Sequence, residues 1–131
     1  MRVLLVDPPK PSWWLLADTV MPPVGLAYIA GYLRSRGVEV RILDCTALRW
    51  SWHHLRMALR RLKPDVVGSG GPTCYAGRAL KVLEIAKEEL GPDVITVAGG
   101  PHFTFLAEGS LLENPFLDVV VLGEGELTMH E

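Results

Sequence analysis

Three glycine-rich breaks are the parts of this chain best suited to contact with a ligand. Each follows an aspartate and a short apolar run, and they read DVVGSGG at residues 65–71, DVITVAGG at 93–100 and DVVVLGEG at 118–125. Glycine lets a backbone approach a ligand closely and accept positive φ. One such break would indicate only a tight turn between a strand and a helix. Three of them favour a binding site for something flat or bulky.

The elements around these breaks alternate between strands and helices. Valine and isoleucine runs bounded by turn residues predict buried strands at residues 2–6, 38–43, 65–68, 94–98 and 118–122. Helical spacing predicts helices from Pro23 to Gly37, from Ser51 onward, in residues 76–90, and from about Phe103 to before Asn114. This order predicts an α/β fold, a doubly wound five-stranded parallel sheet of the flavodoxin-like (Rossmann-like) order 2-1-3-4-5.

The topology brings the glycine breaks together. All strands of a parallel sheet end at the same edge, and open α/β sheets bind their ligands there. Residues 125–131 resemble the opening of a further helix, which a sheet covered on both faces would need. We therefore expect residues 1–131 to be a single domain that lacks its last helix, the N-terminal fragment of a longer enzyme.

Composition excludes several classes of partner and site. The formal net charge is −2, with 13 basic and 15 acidic residues, which does not favour nucleic acid or an anionic membrane. The two cysteines, Cys45 and Cys74, are too few for a disulfide scaffold or a zinc site. No apolar run approaches the roughly 18 residues of a membrane span, and no secretory signal is visible. We expect a cytoplasmic protein.

The common ligands of this architecture do not fit the loops. No phosphate-binding G-x-x-x-x-G-K-[ST] motif occurs, and residues 7–10, after the first strand, read DPPK. A dinucleotide fold needs a glycine-rich turn there, and a flavodoxin needs hydroxyl-rich phosphate contacts. A receiver domain needs an aspartate at the end of the third strand, where Gly68 and Ser69 stand.

The order of four motifs carries a resemblance. They are DPP at residues 7–9, MPPVGLAYIA at 21–30, VAGGPHFT at 97–104 and GEGELT at 123–128. Together they resemble the N-terminal cobalamin-binding domain of cobalamin-dependent radical S-adenosylmethionine enzymes, over nearly the whole chain. In that family the domain precedes a barrel that uses S-adenosylmethionine and a 4Fe-4S cluster held by C-x-x-x-C-x-x-C. That motif is not present in these 131 residues, which agrees with a fragment whose partner is the barrel of its parent chain.

The resemblance implies a cobalamin site at the glycine breaks. Backbone groups there would meet the corrin amides, while the nucleotide tail would leave cobalt and insert along the sheet, with Ser69 as a hydrogen-bonding partner. The residues assigned to the cofactor are Pro8, Pro9, Ser69, Gly70, Gly71, Pro72, Thr73, Cys74, Tyr75, Gly99, Gly100, Pro101, His102, Gly123, Glu124 and Gly125.

The lower face of the cobalt is where this chain departs from other carriers. The cobalamin carriers of methionine synthase and the mutases have D-x-H-x-x-G after the first strand, whose histidine ligates cobalt. Here Asp7 is followed by Pro8, Pro9 and Lys10. We therefore predict base-off, His-off cobalamin with its lower face covered by residues 72–75. No catalytic and no metal-ligating residue is assigned to this chain.

Simpler interpretations stay open for single residues and for the whole chain. His102 is equally well an ordinary loop histidine, Cys74 a small packed cysteine, Tyr75 a packing aromatic and Glu124 a helix cap. The chain as a whole could instead be an α/β docking or substrate-recognition domain without cofactor or, less in keeping with the loops, a nucleotide-binding flavodoxin-like protein. A bulky residue in place of Gly100 is expected to abolish cobalamin binding and leave the fold intact.

Overall fold

The computed structural model describes residues 1–10, 23–71, 73–123 and 129, without the side chains of residues 24 and 73–75. Strands and helices alternate along the chain. In order they are β1 (Arg2–Asp7), α1 (Val24–Ser35), β2 (Glu39–Asp44), α2 (Trp52–Leu62), β3 (Val66–Gly70), α3 (Thr73–Leu90), β4 (Ile95–Gly99), α4 (Pro101–Phe105), α5 (Ala107–Glu113) and β5 (Val119–Val120).

The strands form one five-stranded sheet in the order β2-β1-β3-β4-β5, and every pair is parallel. Val3 pairs with Val40 on one side and with Val66 on the other, and Gly70 pairs with Gly99 at the carboxyl end of β3. The predicted fold class and strand order are therefore confirmed. The sheet places the ends of β1, β3 and β4 next to one another.

Each face of the sheet carries its own apolar core. Leu4, Val6 and Val67 point to the face covered by α2, α3 and Phe103, while Val3 and Leu5 point to the face covered by α1. Successive residues of a strand point to opposite faces. Because both faces are covered, the strands are nearly continuous apolar runs, which is the pattern that the sequence shows.

Two helix ends follow the sequence signals. Gly37, just after α1, has φ +80°, a conformation that favours glycine. Ser51 caps α2 with a capping box, because its side chain accepts from the backbone N–H of His54 and its own backbone N–H donates to Nδ1 of His54 at 3.1 Å. His54 is thus engaged in starting the helix.

The region after β4 differs from the sequence prediction. The sequence predicts one helix from about Phe103, whereas α4 begins at Pro101 and α5 is separate from it. Proline is favoured at the first helical position, and Phe103 is fully buried, which together place the start at Pro101. Leu106 interrupts the helix with φ −122° and ψ 30° and lies 54% exposed. Burial of the Leu106 side chain therefore does not favour a continuous helix at this position.

The end of the sheet is shorter than predicted. β5 covers only Val119–Val120, although the N–H of Val121 still donates to the Ala98 carbonyl at 2.8 Å. The helix expected over residues 125–131 lies outside the described residues except for Met129, which packs against the α1-side core. Among the helices of the described residues, none is long and apolar enough to cross a membrane.

Candidate cofactor-binding edge

The glycines at the carboxyl edge of the sheet form a surface that carries no side chains. This glycine rim consists of Gly70 at the end of β3 with Gly71 after it, Gly99 at the end of β4 with Gly100 after it, and Gly123 after β5. The strands stay paired up to this point, since the N–H of Gly71 donates to the Gly99 carbonyl at 3.2 Å. The three glycine breaks of the sequence therefore do meet at one edge, as their positions predict.

Two rim glycines are required by the contact between the strands themselves. A Cβ on Gly70 would lie 2.0 Å from the Gly99 carbonyl oxygen. A Cβ on Gly100 would lie 2.7 Å from the nitrogen of Gly71, and Gly100 has φ +97°. A bulky residue at Gly100 would therefore disturb the fold. The expectation that such a variant keeps its fold is wrong, because backbone of the neighbouring loop occupies the space.

Gly99 and Gly123 face freer surroundings. A Cβ on Gly99 would make only ordinary contacts at 3.9 Å with Val121, and a Cβ on Gly123 would meet nothing within 4 Å, although its φ is +65°. A flat polycyclic ring with polar arms fits this arrangement, since no side chain of the rim stands in its way and exposed backbone groups can pair with amides. Among Gly70, Gly99, Gly100 and Gly123, Gly99 is also the glycine to which a Cβ can be added with least damage to the fold.

Thr104 connects two parts of the rim. Its Oγ1 donates to the Gly100 carbonyl at 3.0 Å and accepts from the N–H of Gly123 at the same distance. Sequence reasoning did not assign this residue to the site. The available signal was a threonine one helical turn after a Gly-Pro step, where its hydroxyl can reach back to the preceding carbonyl.

Ser69 lies below the rim and already has a partner. The residue is 4% exposed, and its Oγ donates to the Val6 carbonyl at 2.8 Å. This bond joins the central strand β3 to its neighbour β1. A hydrogen bond to a cofactor tail stays a prediction for Ser69.

A polar cluster lies where β1 leaves the sheet. Pro8 and Pro9 are buried there, and Nζ of Lys10 lies 3.1 Å from Oδ1 of Asp7 with the lysine side chain 8% exposed. Burial raises the pKa of the Asp7 carboxyl above its usual range, despite the opposing effects of Lys10 and of the Thr46 hydroxyl. The two prolines are thus buried beneath the surface of the carboxyl edge of the sheet.

Cys45, beside this cluster, is a structural residue. It is fully buried, and burial together with the nearby carboxylates of Asp7 and Asp44 raises the pKa of its thiol to about 12. The thiol therefore stays protonated at physiological pH and does not act as a nucleophile or ligand.

The remaining predicted site residues fall into two groups. Pro101 is exposed at the start of α4, and His102 is half-buried with its ring edge-on to Phe103 at 5.0 Å between centroids. Pro72, Glu124, Gly125 and the side chains of Thr73, Cys74 and Tyr75 lie outside what the structure describes, so the prediction for the lower-face loop is not tested. Within the described residues, no group of His, Cys, Asp and Glu is placed to hold a metal ion.

Comparison with known proteins decides the family. The family model described as a B12 binding domain matches residues 16–131. The chain belongs to the B12-binding domain family. The match covers the glycine rim and most of the fold, and it confirms the family that the four motifs predict.

Curated relatives are much longer than this B12-binding domain. It is 39% identical over 130 residues to an anaerobic magnesium-protoporphyrin IX monomethyl ester cyclase of Rubrivivax gelatinosus, covering 98% of this chain and 23% of the relative. It is also 39% identical over 132 residues to an uncharacterized methyltransferase of Pyrococcus horikoshii, covering 100% of this chain and 28% of the relative. The chain thus spans about a quarter of the length of these relatives.

A solved structure shows the same fold. TsrM from Kitasatospora setae, a radical S-adenosylmethionine methyltransferase with cobalamin and a 4Fe-4S cluster bound, matches with a TM-score of 0.78. The match covers 98% of this chain and 23% of that chain at 22% identity. The B12-binding domain therefore shares its Rossmann-like architecture with one region of a larger enzyme.

Proposed function

We propose that this B12-binding domain holds cobalamin at the glycine rim, base-off and His-off, as the cofactor module of a radical S-adenosylmethionine methyltransferase or a related enzyme. The observation that carries the proposal is the rim itself, where β3, β4 and the segment after β5 end side by side in glycine. A corrin ring is a broad apolar disc with amide arms, and such a disc needs a flat surface of backbone donors and acceptors.

The residues that would hold the cofactor are divided by role. Gly99 and Gly123 leave space for the ring and its arms, while Gly70 and Gly100 bring the two strand ends close enough to make the surface continuous. Thr104 fixes the loops on either side. When bound, cobalamin supplies a cobalt centre that can carry and transfer a methyl group.

The absence of a protein ligand rests on the turn after β1. In the D-x-H pattern of other carriers the histidine stands two residues after the aspartate, and here that position is Pro9. Proline has no side-chain nitrogen and no backbone N–H. The position that holds the ligating histidine in other carriers therefore has no nitrogen to offer cobalt here, and the amine of the next residue, Lys10, lies on Asp7.

The chemistry of the whole protein belongs to the part of the longer chain beyond this domain. We propose that a radical S-adenosylmethionine barrel in the same parent chain carries S-adenosylmethionine and the 4Fe-4S cluster, and that the protein works in the cytoplasm. The names of the relatives and the length that they add to this region support the proposal. The module itself then binds and presents cobalamin, and contributes no catalytic residue.

Titration with hydroxocobalamin tests the binding. We expect the chain to bind it with the absorbance of the base-off form, and Gly99→Ala to weaken binding about tenfold while the Tm changes little, because only ordinary contacts surround that Cβ. Gly77→Ala on the exposed side of α3 is the control, since a Cβ there meets nothing within 4 Å. No binding by the wild type would instead favour a docking domain without cofactor, and unchanged affinity of Gly99→Ala would remove the rim from the site.

A further inference from the structure

The turn after β1 needs hydrogen-bond donors that its own backbone does not supply. Pro8 and Pro9 are both buried, and proline has no backbone N–H. Their carbonyl oxygens have left the sheet, and a buried carbonyl without a partner costs free energy comparable to a lost hydrogen bond. Side chains from elsewhere in the chain provide the partners.

Lys10 and Thr46 hold the first of these carbonyls. Nζ of Lys10 donates to the Pro8 carbonyl at 3.0 Å and to Oγ1 of Thr46 at 3.0 Å, and it lies 3.1 Å and 3.2 Å from the two carboxylate oxygens of Asp7. Oγ1 of Thr46 lies 2.9 Å from Oδ2 of Asp7 and 3.2 Å from the Pro8 carbonyl oxygen. The ammonium group is thereby directed onto the turn and onto Asp7.

Arg78 holds the second carbonyl from the other side. Its Nη1 donates to the Pro9 carbonyl at 2.6 Å, across 69 positions of sequence. The same guanidinium lies over the ring of Trp52, 5.8 Å from its centroid, and the Lys81 ammonium lies 4.6 Å from that centroid. Arg78 therefore links α3 and α2 to the turn.

We propose that Lys10, Thr46 and Arg78 are positioning residues, which fix the Pro8–Pro9 turn as a rigid floor of the cobalamin site without a nitrogen ligand. β1 lies directly beside the central strand β3, whose end forms the first part of the glycine rim, so the turn borders the rim. Three side chains from separate segments converge on two consecutive carbonyls, and the same contacts keep the Lys10 amine on Asp7. The inference rests on the proposed function.

Variants of Thr46 and Arg78 test it, with hydroxocobalamin affinity and the Tm of the cofactor-free 131-residue chain as paired readouts. We expect Thr46→Val and Arg78→Met each to raise the Kd about tenfold, as loss of an outer supporting residue commonly does. Thr46→Ser keeps the hydroxyl and is expected to retain wild-type affinity. Lys87→Met is the matched control, because it removes a lysine that bonds Asp118 at 2.7 Å at the opposite edge of the sheet. It should lower the Tm and leave the Kd unchanged.

The outcomes separate the two proposals. If the wild type binds cobalamin and Thr46→Val, Arg78→Met and Lys87→Met all bind it equally well, the three residues are only structural and the inference is overturned alone. A Kd that rises in Lys87→Met as much as in Thr46→Val would also overturn it, since general loss of stability would then explain the effect. If the wild type binds no cobalamin, the proposed function fails, and the inference fails with it.

Discussion

The glycines of the rim differ in what requires them. At Gly70 and Gly100 the neighbouring backbone lies closer than a Cβ can approach, so the fold itself demands glycine whether or not a ligand is present. At Gly99 the surrounding space would accept a methyl group. A missing side chain there is not explained by packing, and Gly99 is therefore the rim position that points most directly to a ligand.

Replacing Gly100 by alanine should destabilise the protein. The new Cβ would lie 2.7 Å from the Gly71 nitrogen, and φ +97° is a region that L-residues rarely adopt. We expect a loss of at least roughly 1–3 kcal/mol in the free energy of unfolding, measured by urea denaturation. Gly77→Ala in α3 should instead gain roughly 0.5–1 kcal/mol. Equal stability of the two variants would show that the loops after β3 and β4 do not approach each other as described.

The Asp7 carboxyl makes a prediction about pH. Because burial raises its pKa above that of the unfolded chain, its contribution to stability is fully present below the unfolded pKa and is lost as the pH rises through the folded pKa. Asp7→Asn resembles the protonated form, so it should gain stability relative to the wild type as the pH increases. Urea denaturation of both proteins over a pH series checks this. A variant whose stability falls relative to that of the wild type as the pH rises would contradict it.

Among the strands, β5 is held at the amino-terminal edge of the sheet by a hydrogen-bond network that includes Thr96. This residue is fully buried in β4, and its Oγ1 donates to the Phe116 carbonyl and accepts from the N–H of Asp118 at 3.1 Å. Oδ2 of Asp118 in turn accepts from the N–H of Thr96 at 3.0 Å and from Nζ of Lys87 at 2.7 Å. A two-residue strand is thus fixed by side chains as well as by its ladder.

Thr96→Val should test this anchoring. The substitution keeps the shape but leaves the Phe116 carbonyl and the Asp118 N–H without this partner, which costs roughly 1–3 kcal/mol. We expect the free energy of unfolding to fall by that amount, and amide exchange of Val121 to accelerate more than that of Leu5 in β1. Uniform acceleration of both amides would mean that Thr96 does not anchor β5 in particular.

Acid should weaken the same anchor. Burial would raise the pKa of Asp118, but the hydrogen bonds from Lys87 and from the N–H of Thr96 outweigh it and leave that pKa below its usual range. A lowered pKa contributes stability above the unfolded value, which is lost as the pH falls through the folded value. Lys87→Met should therefore lose less stability than the wild type between neutral pH and about pH 3 in urea denaturation, and an identical pH dependence would contradict the assignment.

The sequence predicts the features of this fold that depend on neighbouring residues better than those that depend on residues far apart in the chain. Strand order and the meeting of the glycine breaks follow from local patterns, because apolar runs and helical spacing are properties of neighbouring residues. The contact of Arg78 with Pro9 joins residues 69 positions apart, and no local pattern indicates it. The interruption at Leu106 was missed for a related reason, since burial of Phe103 and exposure of Leu106 are decided by tertiary packing.

Taken whole, the chain belongs to the B12-binding domain family, and the function proposed for it is to hold the cofactor. The chain covers about a quarter of the curated relatives, and it places no metal-binding cluster among its described residues. We propose that cobalamin lies on the glycine rim with no nitrogen of the protein or of its own tail bound below cobalt.

Electron paramagnetic resonance of the cobalt(II) form tests that claim most directly. The chain is loaded with hydroxocobalamin, reduced to cobalt(II), and compared with free cobalt(II) cobalamin at the same pH. We predict that the spectrum of the bound form lacks the nitrogen superhyperfine splitting that an axial nitrogen ligand produces. Bound cobalamin that keeps this splitting would contradict base-off, His-off binding, because a nitrogen of the tail or of the protein would then occupy the lower face.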